Sequence, residues 1–191
     1  MEFSAVVKGR RTIRRFKQIP VPEADLRVMI NAARLSPSGG NAQPLRYIVI
    51  REPKLVSAIF ENTAWGGLVK PRRNPEPGKT APLTFIAVVG PRDNSNILHA
   101  DAGAAIQNMA LAAYSVGVGC CWIGAFKREN VDLILNLPET SSVIYLVAVG
   151  YPDESPVQED VDAGMSEKYY LDDNDVLHVP KFSVDAITEW R

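Results

Sequence analysis

The stretch DAGAAIQNMALAAYSV, Asp101 to Val116, decides what kind of protein this chain forms. It leads into a 25-residue run without a formal charge, Ala102 to Phe126, long enough to cross a bilayer as a helix. Gln107 and Asn108 inside the run, and Gly117 and Gly119 further on, argue instead for a helix buried within protein. Ala104, Ala105, Ile106, Met109, Ala110, Leu111, Ala112 and Ala113 occupy nearly every side of that helix, so it needs cover all round. Gly117 is a natural stop for it. The expectation is a soluble domain built around this helix, with no membrane span.

Outward from the helix, four short β-branched or apolar runs predict strands: Tyr47 to Ile50, Leu83 to Val89, Cys120 to Ile123 and Val143 to Val149. Helices are expected over Glu2 to Lys8, Pro22 to Leu35, Pro53 to Glu61 and Arg128 to Leu135. In the second of these, Leu26, Met29, Ile30 and Ala33 recur at helical spacing, and the breakers Ser36-Pro37-Ser38-Gly39-Gly40 follow. Asn62 to Ala81, rich in Gly, Pro and charge, reads as a long mobile loop. Beyond Gly150-Tyr151-Pro152 the chain turns acidic and irregular, recovering only over Val184 to Trp190. Strands and helices do not alternate cleanly, and no G-x-G-x-x-G follows a strand. The reading is therefore an α+β domain and not a dinucleotide-binding sheet.

Composition fits one globular domain: 191 residues, 46% hydrophobic and 23% charged. A net charge of -1 exerts no overall pull toward nucleic acid or membrane. The adjacent Cys120 and Cys121 suit free, partly buried thiols in a reducing compartment rather than a bridge or a zinc site. The N-terminus lacks a continuous apolar stretch, so a secretory signal is not expected and a cytoplasmic location is. The near-neutral total conceals two blocks. Six bases lie between Lys8 and Lys17 with no acid between Phe3 and Pro22, while Tyr151 to Asp175 holds nine acids against Lys168.

The basic block is Arg10-Arg11-Thr12-Ile13-Arg14-Arg15-Phe16. If it is extended, Arg10, Thr12 and Arg14 share one side, and two guanidinium forks flank a hydroxyl. Such a clamp suits a phosphate dianion, each charge-assisted contact being worth roughly 1.5–3 kcal/mol. Charge alone equally suits a solvated basic face or an import patch; Thr12 and the apolar anchors Ile13 and Phe16 favour the phosphate. A second constellation is Pro37-Ser38-Gly39-Gly40-Asn41-Ala42-Gln43-Pro44, whose glycines admit close approach and whose amides suit the edge of a heteroaromatic ring. A third is Trp122-Ile123-Gly124. Taken singly, these last two read more simply as an ordinary loop and as core with turn glycines.

In order and spacing, five patterns resemble the nitroreductase family: R-R-[ST]-x-R-x-F at Arg10 to Phe16, allowing for the extra Arg15; P-S-x-x-N-x-Q-P at Pro37 to Pro44; D-x-G-x-A-x-Q-N-x-x-L-x-A at Asp101 to Ala113; W-I-G at Trp122 to Gly124; and V-G-Y-P at Val149 to Pro152. The resemblance implies an α+β fold with a central, mostly antiparallel sheet flanked by helices, forming an intertwined homodimer with FMN at the subunit interface. It assigns Arg10, Arg11, Thr12 and Arg14 to the ribityl phosphate. Pro37, Ser38, Gly39 and Asn41, from the other subunit, would line the ring with Gln43 close by, and Ile123 and Gly124 would lie near its reactive edge. Lys181, ahead of Arg191, is the candidate for a late basic residue on the phosphate. Thr12 replaces the commoner serine, Leu45 stands where an aromatic is usual, and Val157 to Val179 aligns with nothing, leaving 153–191 as an extension, an interface arm or a lid.

The same resemblance implies an FMN-dependent oxidoreductase. NADH or NADPH would pass hydride through the flavin to an electron-poor acceptor, a nitroaromatic, quinone or enone, in ping-pong fashion. The scarcity of other catalytic equipment agrees: His99 and His178 are the only histidines, His99 is read as structural, and no triad or metal cluster is visible. Two further readings stand beside it: a flavin carrier or sensor without turnover, and a nucleic-acid-binding module using the stripe 8–17. Arg72 and Arg73 are read as solvent-exposed charge.

Overall fold

The computed structural model describes residues 1–69, 71–92 and 95–191. Its helices are α1 (Phe3–Gly9), α2 (Glu23–Arg34), α3 (Pro53–Phe60), α4 (Asn96–Ser115), α5 (Arg128–Ile134) and the single turn α6 (Val184–Ile187). Its strands are β1 (Arg46–Ile50), β2 (Thr84–Pro91), β3 (Gly119–Ile123), β4 (Ser141–Gly150), β5 (Val157–Val161), β6 (Tyr170–Leu171) and β7 (Leu177–Phe182). The first four form one sheet in the order β1-β2-β4-β3, and every pair in it is antiparallel.

Both faces of that sheet are covered, which is why β2 and β4 are continuously apolar instead of alternating. Ile86, Val88, Val147 and Val149 pack with Leu26 and Met29 of α2 and with Ala102, Ile106 and Met109 of α4. Phe85, Ala87, Leu146 and Ala148 point the other way, onto Val56 and Ile59 of α3 and Val131 of α5. The expected α+β architecture, with an antiparallel sheet between helices, is what forms. Among the described residues no helix is long and apolar enough to cross a membrane.

The central helix starts at Asn96, ahead of the Asp101 expected from the apolar run. Ser95 sets this start, its Oγ accepting the Leu98 N–H at 3.3 Å. The described residues of 62–81 form a loop, as expected, and it packs onto the body: Thr63 bridges Phe126, and Trp65, Val69, Arg73 and Ala81 are buried. The acidic region, by contrast, is not irregular. It folds into a second sheet of order β5-β7-β6, with β5 and β7 parallel and β6 antiparallel to β7. Pro180 is tolerated in β7 because β6 pairs only with His178 and Leu177, so beyond them one side of β7 is an open edge.

Candidate functional site

The basic segment lies against the ends of β3 and β4. The Ile13 N–H donates to the Cys120 carbonyl (3.0 Å), the Phe16 N–H to Thr80 (2.9 Å) and the Lys17 N–H to Tyr151 (2.9 Å), and the Arg15 carbonyl accepts from Asp153 (2.9 Å). Ile13 and Phe16 are the buried anchors foreseen for it. They reach the body because the strand ends are glycine: a Cβ at Gly119 would lie 2.6 Å from Ile13 Cγ1, and one at Gly150 would lie 2.8 Å from Phe16 Cδ1. Glu154, its side chain 1% exposed, accepts the backbone N–H groups of Arg14 and Arg15, the second at 3.1 Å. Its other oxygen faces Arg73 at 3.4 Å, an ion pair without hydrogen-bond geometry.

Anchors at positions 13 and 16 are three residues apart, so strict strand alternation does not run through the whole segment. Arg10 and Arg11 open onto a groove of about 410 Å³ bordered by Tyr114 and Pro152. Arg14 enters a separate cleft of about 250 Å³ with Trp65, Trp122, Ile123, Gly124 and Tyr169. Arg11 is already engaged, donating to the carbonyls of Lys8 and Arg10 and to Gln158 Oε1. Among the described residues, Arg10 and Arg14 have no carboxylate partner, and the Thr12 hydroxyl makes no hydrogen bond. Arg15 pairs weakly with Asp175 at 3.8 Å. The run is therefore not one solvated basic face, because Ile13 and Phe16 pin it to the body.

In the second cleft Ile123 is buried beneath the lining and Gly124 beside it is exposed. Trp122 is 44% exposed, edge-on to Tyr145 with centroids 5.0 Å apart, and its tip rests 3.4 Å from where a Cβ on Gly103 would be. It is a wall of the surface and not core. His99 Nδ1 lies 3.0 Å from the Tyr145 hydroxyl, in keeping with the structural role expected of it.

The loop 36–43 is held by α4. Asp101 Oδ1 accepts the Gly39 N–H at 3.0 Å, and Asn108 Nδ2 donates to Ser36 Oγ at 2.8 Å. These anchors are two helical turns apart on one face, a spacing legible in the sequence but not used there. Ser38 Oγ accepts the Gln43 N–H (3.1 Å), and Gln43 Nε2 reaches Asn41 Oδ1 (3.3 Å). Asn41 and Gln43 both sit at positive φ (55° and 49°), a conformation that costs energy in non-glycine residues and collects at functional sites. Pro37, Ser38 and Gln43 line a cleft of about 280 Å³ against α2 and α4, while Gly39 and Asn41 are exposed at its rim. The structure thus keeps this loop in a different cleft from Arg14, Ile123 and Gly124 within one chain.

Lys181 stands opposite Asp160 on β5, on the face that also carries Gln158, the acceptor for Arg11. Arg191 pairs with its neighbour Glu189 at 2.9 Å. Arg72 is exposed, as read, and meets Asp175 at 2.8 Å, but Arg73 is not free loop charge: 5% exposed, it lies between Glu154 and Asp175. His178 bridges Glu159 (2.5 Å) and Asp172 (3.4 Å) and stacks on Tyr170. The hydrogen bond to Glu159, aided by Asp172 and opposed by desolvation, raises its pKa above the ordinary imidazole value. Burial pushes the Cys120 and Cys121 thiols up to about 12 and about 11, so both are protonated and inert. Glu154, Arg73 and Tyr169 had no signal in the sequence, because their partners lie about a hundred positions away or come from elements not foreseen.

Comparison with known proteins agrees with this arrangement. Residues 7–151 match the model of the Nitroreductase family. A curated relative, the NADH dehydrogenase of Thermus thermophilus, is 29% identical over 175 residues, covering 76% of this chain and 84% of its own. The crystal structure of a Desulfovibrio desulfuricans protein in complex with FMN is 28% identical and superposes with a TM-score of 0.66, covering 81% and 88% of the two chains. A nitroreductase family protein from Streptococcus pneumoniae, 21% identical, shares the fold over 100% of both chains with a TM-score of 0.72. On the match over most of its length, the chain belongs to the nitroreductase family.

Proposed function

We propose that this protein is an FMN-dependent oxidoreductase that moves hydride from NADH or NADPH to an electron-poor acceptor (a nitroaromatic, quinone or enone), the two taking turns at one site. The observation that carries the reading is the pair Arg10 and Arg14. They are anchored by the Ile13 and Phe16 side chains and the Glu154 carboxylate, yet left without a carboxylate of their own among the described residues. Cations held in place and not neutralised fit a phosphate dianion, and the free Thr12 hydroxyl between them adds a donor. The Arg14 cleft also supplies flat aromatic walls and the main chain of Ile123 and Gly124, which fit a heteroaromatic ring.

FMN, when bound, supplies the hydride chemistry; the chain binds and orients it and shields it from water. Arg10, Thr12 and Arg14 hold the phosphate, with Arg11 and Lys181 at its margin. Ile123 and Gly124 lie beside the ring. Pro37, Ser38, Gly39, Asn41 and Gln43 line the ring from a second subunit, so the working unit is a homodimer. Two observations support that placement: the loop opens into a cleft apart from Arg14, and it is held rigidly in a costly conformation. We take 1–191 as one functional unit with 153–191 as its C-terminal extension, which the Arg11–Gln158 and Arg73–Asp175 contacts support. A cytoplasmic location agrees with the two free cysteines.

The test is an absorbance spectrum of protein reconstituted with FMN, followed by anaerobic addition of each nicotinamide and then a quinone. Flavin bands that bleach with NADH or NADPH and return with the quinone are expected. Failure to bind flavin under any reconstitution overturns the proposal, and bound flavin that neither nicotinamide bleaches makes the protein a carrier.

A further inference from the structure

We propose that Tyr169 positions the Arg14 guanidinium for its phosphate contact, an inference that rests on the flavin site proposed above. The Arg14 guanidinium carbon lies 5.3 Å from the centroid of the Tyr169 ring, and both residues line the cleft with Trp65, Trp122 and Gly124. An aromatic face attracts a cation through its quadrupole. The ring face attracts the charge without supplying a hydrogen-bond acceptor, so the N–H donors are not consumed and stay available for an anion. A carboxylate in the same place would also orient Arg14, but it would occupy those donors and cancel the charge. Tyr169 is a clamp that does neither.

The clamp is fixed from three directions. The Leu68 N–H donates to the Tyr169 hydroxyl at 3.3 Å. The next residue, Tyr170, begins β6, stacks on His178 with centroids 4.9 Å apart and donates its hydroxyl proton to Glu159 at 3.1 Å. Behind Arg14, the Glu154 carboxylate holds its backbone N–H. The arginine is thus held at its main chain and at its head, and less side-chain entropy remains to be lost when an anion binds. The second sheet thereby acquires a role, since it carries Tyr169 over the basic segment.

The test is a fluorescence titration of flavin-free protein with FMN and, separately, with riboflavin, which lacks the phosphate. Tyr169→Leu is expected to raise the FMN Kd roughly three- to ten-fold, the size of a partly desolvated cation–π contact. Riboflavin, whose ring shares the cleft with Tyr169, is expected to lose less than FMN in the same variant, and Tyr169→Phe restores FMN binding to within about two-fold because the ring face remains. Equal losses for FMN and riboflavin, or an unchanged FMN Kd in Tyr169→Leu, overturn the inference while leaving the flavin site standing. Failure of the unaltered protein to bind either flavin removes both.

Discussion

Glu154→Ala tests the idea that one buried carboxylate holds the basic segment. Glu154 is 1% exposed and serves three groups: the N–H of Arg14, the N–H of Arg15 and the guanidinium of Arg73, itself 5% exposed. Removing one member of a buried ion pair costs about 3–5 kcal/mol, because the other charge is left without compensation. Arg73 retains the carbonyl of Asp175 and, at 3.6 Å, its half-exposed carboxylate, which moves the expectation to the lower end, about 3 kcal/mol. With a urea slope of about 2 kcal/mol/M for a chain of this size, the unfolding midpoint falls by about 1.5 M. A companion, Glu154→Leu with Arg73→Met, leaves no orphaned charge, only two N–H groups short of an acceptor, and should lose about 1–2 kcal/mol. Equilibrium urea unfolding followed by circular dichroism reads all three. A single variant that loses less than about 1 kcal/mol, or a double variant that loses more than the single, refutes the reasoning.

Arg14→Ala should weaken FMN binding about 10- to 150-fold, the loss of one charge-assisted contact, whereas Arg15→Ala stays within about two-fold because its exposed pairing with Asp175 is weak; a titration in which Arg15→Ala is the costlier change reverses the assignment. The raised pKa of His178 makes its stabilisation pH-dependent with a definite sign. The contribution is complete below the unfolded value of about 6.5 and is lost as pH rises through the higher folded value. The thermal midpoint of the unaltered protein should therefore exceed that of His178→Gln most at acid pH, with the gap closing on alkalinisation; a gap that widens with pH contradicts the Glu159–His178–Asp172 bridge. Cys120 and Cys121 should be silent to a disulfide-exchange reagent at pH 8 in the folded protein, and both should react once it is unfolded, as counted by absorbance.

The parts of the fold legible in the sequence were those whose partners are either local or unspecific. The runs in β2 and β4 announce strands because any buried sheet would accept them, and α4 announces itself because it is apolar all round. The start of α4 was missed because a single hydroxyl, Ser95, decides it and the apolar pattern does not. The second sheet was missed because β5 reads Val-Gln-Glu-Asp-Val and β7 contains Pro180, so neither shows strand chemistry until paired with the other. For the candidate site, the residue types and the anchors Ile13 and Phe16 were readable. Their placement was not, because the backbone at Arg14 and Arg15 is held by Glu154, about 140 positions along the chain. Arg73 looked like loop charge for the same kind of reason: Glu154 and Asp175, which bury it, lie far along the chain.

The docking of the basic segment also constrains the order of events during synthesis. Residues 10–17 are made before the distant segments that hold them: Thr80, then Gly119 and Cys120, then Gly150 to Glu154. No local structure can place Arg14 in the meantime, since α1 ends at Gly9 and the backbone N–H groups of residues 13–17 find their acceptors only in distant parts of the chain. Such contacts carry the full cost of closing a long loop and form late. The proposed phosphate grip at Arg14 is made 140 positions ahead of Glu154, the carboxylate that holds it, and is assembled only after that carboxylate exists. A chain interrupted before residue 150 would carry the basic segment without the contacts that place it.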